Sequence, residues 1–181
     1  MKKLILILFL PIFSFSQTEL DHKIFNLINV YRAENNLKTL IWDTIMIKVA
    51  KNQVEYMSTT GHLSHDQLEE DSAKFKITKD FNAKFTNQGI NFNCVVSENC
   101  AVVFNTDTMT LDRVANYVIT GWKNSPKHNE VMLDAKVTHA AIFHIAGSTY
   151  HEDAINEAGD FFTVTTACHM EWFSLNAYGK K

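Results

Sequence analysis

Apolar residues recur at intervals of three and four in three separate stretches of the chain. This is the period of a helix that buries one face. The stretches run from Leu20 to Tyr31, from Ile45 to Met57 and from Leu111 to Trp122. Each is long enough for several helical turns, and the third has the most regular pattern. The sequence therefore predicts three amphipathic helices with a common core.

A fourth, short helix is predicted directly after the third. Ser125 is a favoured N-cap residue, and Pro126 at the first helical position loses no hydrogen bond because its missing N–H would be unpaired there. His128 then lies in the first turn, where the positive end of the helix dipole favours a neutral imidazole. Such a ring can bind a metal or accept a proton. A histidine at this position can equally be a capping or packing residue.

Apolar runs rich in β-branched and aromatic residues predict strands in the second half of the chain. One run extends from Val95 to Phe104 and is interrupted at Glu98, so that a carboxylate lies near the start of a strand. Residues 140–146 and residues 161–168, or slightly beyond, predict two more strands. Residues 67–93 have only a weak pattern, which predicts an irregular helix over the core. Helices that flank a small, mostly antiparallel sheet make an α+β layered domain.

The first 16 residues have the order of a secretory signal peptide. Lys2 and Lys3 precede an apolar run from Leu4 to Phe13, and Ser14-Phe15-Ser16 follows it. The run is shorter than the roughly 20 residues of an ordinary membrane span. We therefore expect cleavage between Ser16 and Gln17, a secreted protein and a single domain over residues 17–181. An uncleaved N-terminal anchor is the alternative.

Composition and charge exclude two broad classes of protein. A hydrophobic content of 46% with 12% aromatic residues excludes a disordered chain. The net charge is −3, or −5 without the two lysines of the predicted signal peptide, and no basic patch stands out. Nucleic acid is therefore not an expected partner.

Three cysteines are too few for a scaffold built on disulfides, although export permits one bridge. They are Cys94, Cys100 and Cys168. The sequence does not decide which pair would be joined, and three half-buried thiols without a bridge are an equal alternative. No base is placed beside any of them by the sequence pattern, which disfavours a catalytic cysteine.

Several polar residues are candidates for a functional site. Glu98 lies among apolar strand residues, so it is either paired, raised in pKa or turned to the surface. His62 and His65 lie three apart in a polar turn, a spacing that occurs in metal sites but needs a third ligand. Ser125 is three residues from His128, but its capping position accounts for it without a nucleophilic role. The other histidines are expected at the surface or at strand ends: His139, His144, His151 and His169.

The ordered combination of these residues resembles one known family. The matching motifs are Asn29-x-x-Arg32, Leu-Lys-Thr-Leu-Ile-Trp-Asp at 37–43, Ser64-His65, Glu98-Asn99, Trp122-x-x-Ser125-x-x-His128 and Met132-Leu133. They resemble the bacterial branch of the CAP superfamily, which groups cysteine-rich secretory proteins, insect antigen 5 and plant pathogenesis-related proteins. The resemblance covers nearly the whole chain after the predicted signal peptide, from residue 20 to about residue 173.

The resemblance implies an α-β-α sandwich with a central antiparallel sheet and a cleft. In much of the family two histidines and two glutamates face that cleft, and some members bind a divalent metal, usually zinc, through the histidines. His65 and His128 are similar to the two histidines, and Glu98 to the first glutamate. Ser125 stands where the second glutamate is expected, while Cys100 and the pair Ala140-Ala141 also depart from the family pattern. Asn99 and His62 are further candidates for the cleft.

Two functions are consistent with this resemblance. The first is a secreted, monomeric binding module whose cleft takes a lipid, glycan, peptide or partner protein. The second is a metal-assisted hydrolase in which His65 and His128 hold zinc and Glu98 is the acid or base that orients or deprotonates a water. Only one of the two glutamates is present, which favours the binding module.

Overall fold

A computed structural model of the chain describes residues 19–90, 94–105, 109–147, 154–155, 161–162 and 169–180. The predicted signal peptide lies outside these residues. A 3-10 helix covers Glu69–Ala73. The other elements are α1 Glu19–Glu34, β1 Ile41–Trp42, α2 Thr44–Thr60, α3 Phe81–Thr86, β2 Cys94–Asn105, α4 Leu111–Asn124, α5 Pro126–Leu133, β3 His139–Gly147, β4 Ala154–Ile155, β5 Phe161–Phe162 and β6 His169–Lys180.

Four of the strands form one sheet in the order β1-β3-β6-β2. β6 runs antiparallel to both β3 and β2, and it pairs with β2 from Cys94↔Lys180 to Asn105↔His169. β1 adds to the far side of β3 as a short parallel strand. β2 is consequently the outer strand of this sheet, and no described strand pairs with its other side.

Helices cover both faces of the sheet, which confirms the predicted α-β-α sandwich. Side chains alternate between the two faces along each strand. Buried residues of one face pack beneath α1 and α4 and include Val103, Ile142 and Leu175. Those of the other face pack against α2 and α3 and include Cys100 and Ala141. The sheet is therefore the middle layer, and neighbouring residues of β2 point into different cores.

The three predicted amphipathic helices are confirmed as α1, α2 and α4, and the sequence also marks their ends. The Asp43 carboxylate accepts a hydrogen bond from the Ile45 N–H at 2.6 Å, which caps α2. The Thr110 hydroxyl accepts from the Arg113 N–H at 3.3 Å and caps α4. After α1, Asn36 adopts a φ of 58°, a left-handed conformation that asparagine tolerates better than most residues.

The predicted strand at residues 161–168 is confirmed at Phe161–Phe162, which form β5. Among the described residues β5 pairs with β4, and the central strand of the four-stranded sheet begins at His169. Residues 163–168 lie outside the described part of the chain. β6 was missed because Ser174 and Asn176, both fully buried, alternate with apolar residues and give the sequence the pattern of a half-exposed or irregular segment.

Two further predictions need correction in the first half of the chain. Ile41–Trp42 form β1, a short strand that is absent from the strands predicted above. In place of the one irregular helix predicted over residues 67–93, the described residues 67–90 contain the 3-10 helix Glu69–Ala73 and then α3. Phe85 of α3 is nevertheless buried, as the apolar pattern of this segment predicts.

A buried arginine fixes the position of α5 relative to α1. Arg32 is 1% exposed, and its guanidinium donates hydrogen bonds to the carbonyl oxygens of Lys38 at 2.9 Å, Met132 at 2.7 Å and Asp134 at 3.0 Å. Hydrogen bonds from a charged donor are stronger than those between neutral groups. Because Met132 and Asp134 are at the end of α5, Arg32 orients the helix that carries His128.

Candidate functional site

Glu98 is the buried centre of the candidate site. Its side chain is 0% exposed. One carboxylate oxygen, Oε1, lies 3.1 Å from His65 Nδ1 and 3.3 Å from Lys84 Nζ. The other, Oε2, accepts a hydrogen bond from Asn176 Nδ2 at 2.7 Å. Both oxygens of this carboxylate therefore have partners inside the protein.

These partners determine the charge of Glu98. Burial by itself raises the pKa of a carboxyl group, because the charged form loses its solvation. Here the hydrogen bond from His65, the positive charge of Lys84 and the hydrogen bond from Asn176 outweigh burial, so the pKa of Glu98 lies below its ordinary value. Glu98 is thus an ionised carboxylate at neutral pH. Of the three environments that the sequence allowed for Glu98, the structure shows the first, in which the carboxylate is paired.

Lys84 is a member of this cluster that the sequence does not indicate. It is on α3, its side chain is 1% exposed, and its ammonium donates to the backbone carbonyl of His65 as well as to Glu98. Lysine is almost never fully buried unless it is paired. Lys84 therefore supplies the positive charge that Glu98 needs and holds the His65 segment against the sheet.

His65 and His128 approach each other although they belong to different helical layers. His65 follows α2, and His128 is in the first turn of α5. Their ring centroids lie 6.4 Å apart with an angle of 49° between the planes. The structure therefore brings together all three residues that the family resemblance predicts, namely His65, Glu98 and His128.

Two successive residues of β2 fix the two histidine segments from opposite faces of the sheet. Glu98 points toward α2 and contacts the His65 ring. Asn99 points the other way, and its Nδ2 donates a hydrogen bond to the backbone carbonyl of His128 at 2.9 Å. Because side chains alternate along a strand, one strand can position both histidines. The side-chain amide oxygen of Asn99, Oδ1, is buried and has no hydrogen-bond partner among the described residues.

Cys100 also belongs to the cluster, which the sequence pattern did not reveal. Its Sγ lies 3.8 Å from His65 Nδ1 and 3.6 Å from Glu98 Oε1. Burial, and next to it the negative charge of Glu98, raise the pKa of the thiol well above its ordinary value. The thiol and the carboxylate also meet the same nitrogen of His65, so the three residues do not form a relay of nucleophile, base and acid. Cys100 and Cys94 are not bridged to each other, and Cys168 lies outside the described residues.

His62 is held in a second cluster beside the first. Its Nδ1 lies 2.9 Å from Asp71 Oδ2, which also accepts a hydrogen bond from the Tyr56 hydroxyl at 2.6 Å. Burial raises the pKa of Asp71, but the hydrogen bonds from Tyr56 and His62 outweigh it and lower the pKa overall. Burial and then the contacts with Asp71 raise the pKa of Tyr56 to about 12. His62 is thus fixed by Asp71 and has no bond to Glu98 or His128 in the described structure.

Ser125 and His144 differ from their expected roles. Ser125 is at the N-cap position of α5, and its carbonyl accepts from the Asn129 N–H at 2.8 Å, but its hydroxyl makes no capping hydrogen bond. His144 is not a surface residue: its side chain is 9% exposed and its Nδ1 lies 2.7 Å from the buried carboxylate of Asp21. This pair joins β3 to α1 within the core layer.

An open groove of about 330 Å³ lies between the outer strand of the sheet and α4. Trp122 forms part of its wall, and the Trp122 indole donates a hydrogen bond to the Cys100 carbonyl at 3.2 Å. Tyr117, which is 63% exposed, projects at its margin. Lining residues are Leu63, Cys100, Ala101, Val102, Val103, Tyr117, Val118, Gly121, Trp122, Ser125 and His128. The groove is mainly apolar and has its polar groups at the histidine site.

The imidazole nitrogens of His65 and His128 are donor atoms of a type that suits zinc. The Nδ1 of His65 is engaged with Glu98, which leaves the lone pair of Nε2 for a ligand, as in carboxylate–histidine–zinc arrangements. With Zn–N distances of about 2.1 Å, two imidazoles on one tetrahedral ion have centroids roughly 5 Å apart. The observed 6.4 Å therefore requires a small approach of the rings, which a half-exposed His65 side chain permits.

The candidate site thus lies in an α-β-α sandwich whose outer strand orients a pair of histidines. Residues 25–164 match the model of CAP, the cysteine-rich secretory protein family. The chain therefore belongs to the CAP family. No curated protein sequence matches the chain significantly.

Solved bacterial structures have the same fold. An extracellular protein with an SCP domain from Bacillus anthracis is 20% identical with a TM-score of 0.60, and the match covers 91% of this chain and 41% of that one. An outer surface protein from Borrelia burgdorferi is 16% identical with a TM-score of 0.56, over 92% and 98% of the two chains. A cysteine-rich secretory protein from Staphylococcus aureus is 15% identical with a TM-score of 0.54, over 92% and 40%.

The chain thus spans about two fifths of the first of these proteins and nearly all of the second. Identities this low show a common fold. Within the described part of the chain, no helix combines the length and the apolar character that a membrane crossing needs.

Proposed function

We propose that this protein is an extracellular binding module that takes an extended apolar peptide segment of a partner protein in the groove beside β2. The observation that carries this proposal is the mainly apolar groove that opens next to the oriented histidines. The proteins of similar structure are described as extracellular, outer-surface or secretory. A location outside the cytoplasm also agrees with the predicted signal peptide.

The outer position of β2 favours a peptide as the ligand. Residues Cys100 to Val103 line the groove, and no described strand pairs with this side of β2. An extended peptide can add to such an edge through its main chain while its side chains enter adjacent apolar pockets. An exposed aromatic residue at the margin, here Tyr117, adds contact area at low entropic cost.

The peptide proposal predicts a selective effect of Tyr117→Ala. Peptides enriched from a random displayed library and then synthesised should bind the wild-type protein and should bind this variant about tenfold more weakly, because the tyrosine ring lies at the groove margin. Calorimetric titration in the presence of EDTA measures the affinity. The melting temperature should change little, since the side chain is largely exposed.

Val30→Ala provides the matched control, because Val30 is 55% exposed on α1 and does not line the groove. Equal loss of affinity in both variants, or peptides that bind Tyr117→Ala as well as the wild type, would contradict the proposal. The same titrations with oleate and with N-acetylglucosamine oligomers test the other ligand classes. Saturable binding of one of these, without any peptide, would replace the peptide as ligand.

Metal-assisted hydrolysis is the second candidate, and the His65–Glu98 contact is the observation that favours it. His65 and His128 would hold the metal, and zinc when bound lowers the pKa of a coordinated water to about 7. Catalytic zinc usually has three protein ligands. We propose that Glu98 is a positioning residue in this site, because its carboxylate is fully buried and both its oxygens are already bound.

The hydrolase hypothesis predicts that the protein binds zinc at neutral pH and that His65→Ala and His128→Ala each weaken binding at least about tenfold. Calorimetric titration with zinc chloride measures this. His62→Ala should have little effect, because Asp71 holds His62 in the neighbouring cluster. Unchanged affinity in both of the first two variants would exclude the histidine pair as a zinc site.

A further inference from the structure

The residues His65, Glu98 and Cys100 offer a nitrogen, an oxygen and a sulfur ligand that converge on one point. Their ligand atoms all lie within 4.8 Å of one another. The separations are 3.1 Å from His65 Nδ1 to Glu98 Oε1, 3.8 Å from Cys100 Sγ to the same Nδ1, and 3.6 Å from Sγ to the same Oε1.

These separations agree with the edges of a metal coordination tetrahedron. With Zn–N and Zn–O distances of about 2.0–2.1 Å and Zn–S of about 2.3 Å, neighbouring ligand atoms lie roughly 3.3–3.6 Å apart. Each observed separation is close to this range, so the ligands need little movement to share one ion. A preformed arrangement reduces the conformational entropy that binding must overcome.

We propose that His65 Nδ1, Glu98 Oε1 and Cys100 Sγ form a binding site for a thiophilic divalent cation of the zinc type. This metal site is a property additional to the proposed peptide binding, and it does not depend on peptide binding. It also differs from the histidine pair, since it uses the opposite nitrogen of His65 and does not require His128. Three protein ligands of mixed type leave the fourth position of a tetrahedral ion for water.

Lys84 is the competitor of a metal at this site. Its ammonium lies 3.3 Å from Glu98 Oε1, the same oxygen that would bind the ion. In the metal-free protein Lys84 supplies the charge that neutralises the carboxylate. A bound cation takes over this role and weakens the Lys84 contact, because two positive charges at one oxygen repel each other.

Binding also removes a proton from Cys100. The thiol S–H bond breaks, the sulfur donates its electron pair to the cation, and the proton leaves to solvent. The His65 Nδ1–H proton, which Glu98 accepts in the metal-free protein, also leaves to solvent while Nε2 takes up one proton, so the ring stays neutral and Nδ1 has a lone pair for the cation. Thiolate rather than thiol is the form that ligates metals. Because the Cys100 thiol is buried, it binds the cation more weakly than an exposed, preformed thiolate would. The sulfur also gives the bound metal a distinctive spectrum.

Cobalt(II), which reports thiolate ligation through a near-ultraviolet charge-transfer band, tests the proposal directly. Titration of the full chain with cobalt chloride should produce this band. Cys100→Ser should abolish it, while the double variant Cys94→Ser with Cys168→Ser retains it. His128→Ala should also retain it, which separates this site from the histidine pair.

Competition between the metal and Lys84 for the Glu98 oxygen gives a second measurable effect. Lys84→Met should bind cobalt about tenfold more tightly than the wild type, and the metal should raise the melting temperature of this variant more than that of the wild type. Absence of the band in wild-type protein, its persistence in Cys100→Ser, or its loss in His128→Ala would overturn the proposal. Because peptide binding is measured in EDTA, failure here leaves the groove proposal standing.

Discussion

Replacing Lys84 with methionine is expected to lower the free energy of unfolding by about 3–5 kcal/mol. The substitution removes the ammonium from a side chain that is 1% exposed and leaves the Glu98 carboxylate, which is 0% exposed, without its positive partner. An uncompensated buried charge cannot recover its hydration from within the protein. Urea unfolding monitored by circular dichroism, with the slope compared between variants, measures the change.

A double variant separates the lost ion pair from lost packing. Lys84→Met combined with Glu98→Gln removes both charges and should recover a large part of the loss, since the penalty is that of the unpaired carboxylate. Lys79→Met is the matched surface control, because it removes an ion pair, Lys79 with Glu69, in which both side chains are largely exposed. It should change stability by no more than about 0.5 kcal/mol. Equal losses in Lys84→Met and Lys79→Met would refute the buried pair as a determinant of stability.

Gly179→Ala is expected to cost more than about 3 kcal/mol and can prevent folding. A Cβ atom at residue 179 would lie 1.7 Å from the carbonyl oxygen of Lys136 and 2.8 Å from the Cα of Val137. These are backbone atoms, so no side-chain rotation removes the overlap, and β6 would have to separate from the segment before β3. Soluble yield and thermal unfolding of the variant measure the effect.

Gly121→Ala is the control for this substitution within the same chain. Gly121 lies in α4, and a Cβ there meets no heavy atom within 4 Å. Alanine should stabilise the protein by about 0.4–1 kcal/mol, because it restricts the unfolded chain more than glycine does. If Gly179→Ala were as stable as Gly121→Ala, the close approach of β6 to Lys136 would not be present in the folded protein.

The two substitutions with the largest expected effects, at Lys84 and Gly179, lie in elements that position the candidate site. Lys84 holds the His65 segment and neutralises Glu98, and Gly179 lets β6 approach the backbone of the segment before β3. β6 in turn carries Asn176, whose amide binds Glu98 at 2.7 Å. The orientation of the histidines therefore depends on core packing as well as on the residues that would touch a ligand.

Much of the fold was predictable because its determinants are local. The apolar period identified α1, α2 and α4, and Ser125 with Pro126 marked the start of α5, which the structure confirms. The family resemblance supplied His65, Glu98 and His128 as neighbours. β6 could not be predicted in the same way, because Ser174 and Asn176 are buried through contacts with other strands and not through their own apolar character.

The sequence by itself determined the helices, the layered fold class and the order of the histidine and glutamate motifs, since periodicity and capping act over a few residues. Only the tertiary structure decided that Lys84 and Cys100 join His65 at Glu98, and that His62 joins Asp71 instead. Lys84 comes from a weakly patterned segment, and Cys100 has an apolar strand context. Cys100 lies two residues after Glu98 on β2, so strand alternation places it on the same face, but its contact with His65 depends on how the segment after α2 packs. Lys84 reaches Glu98 from α3, and this contact depends on the packing of the whole core.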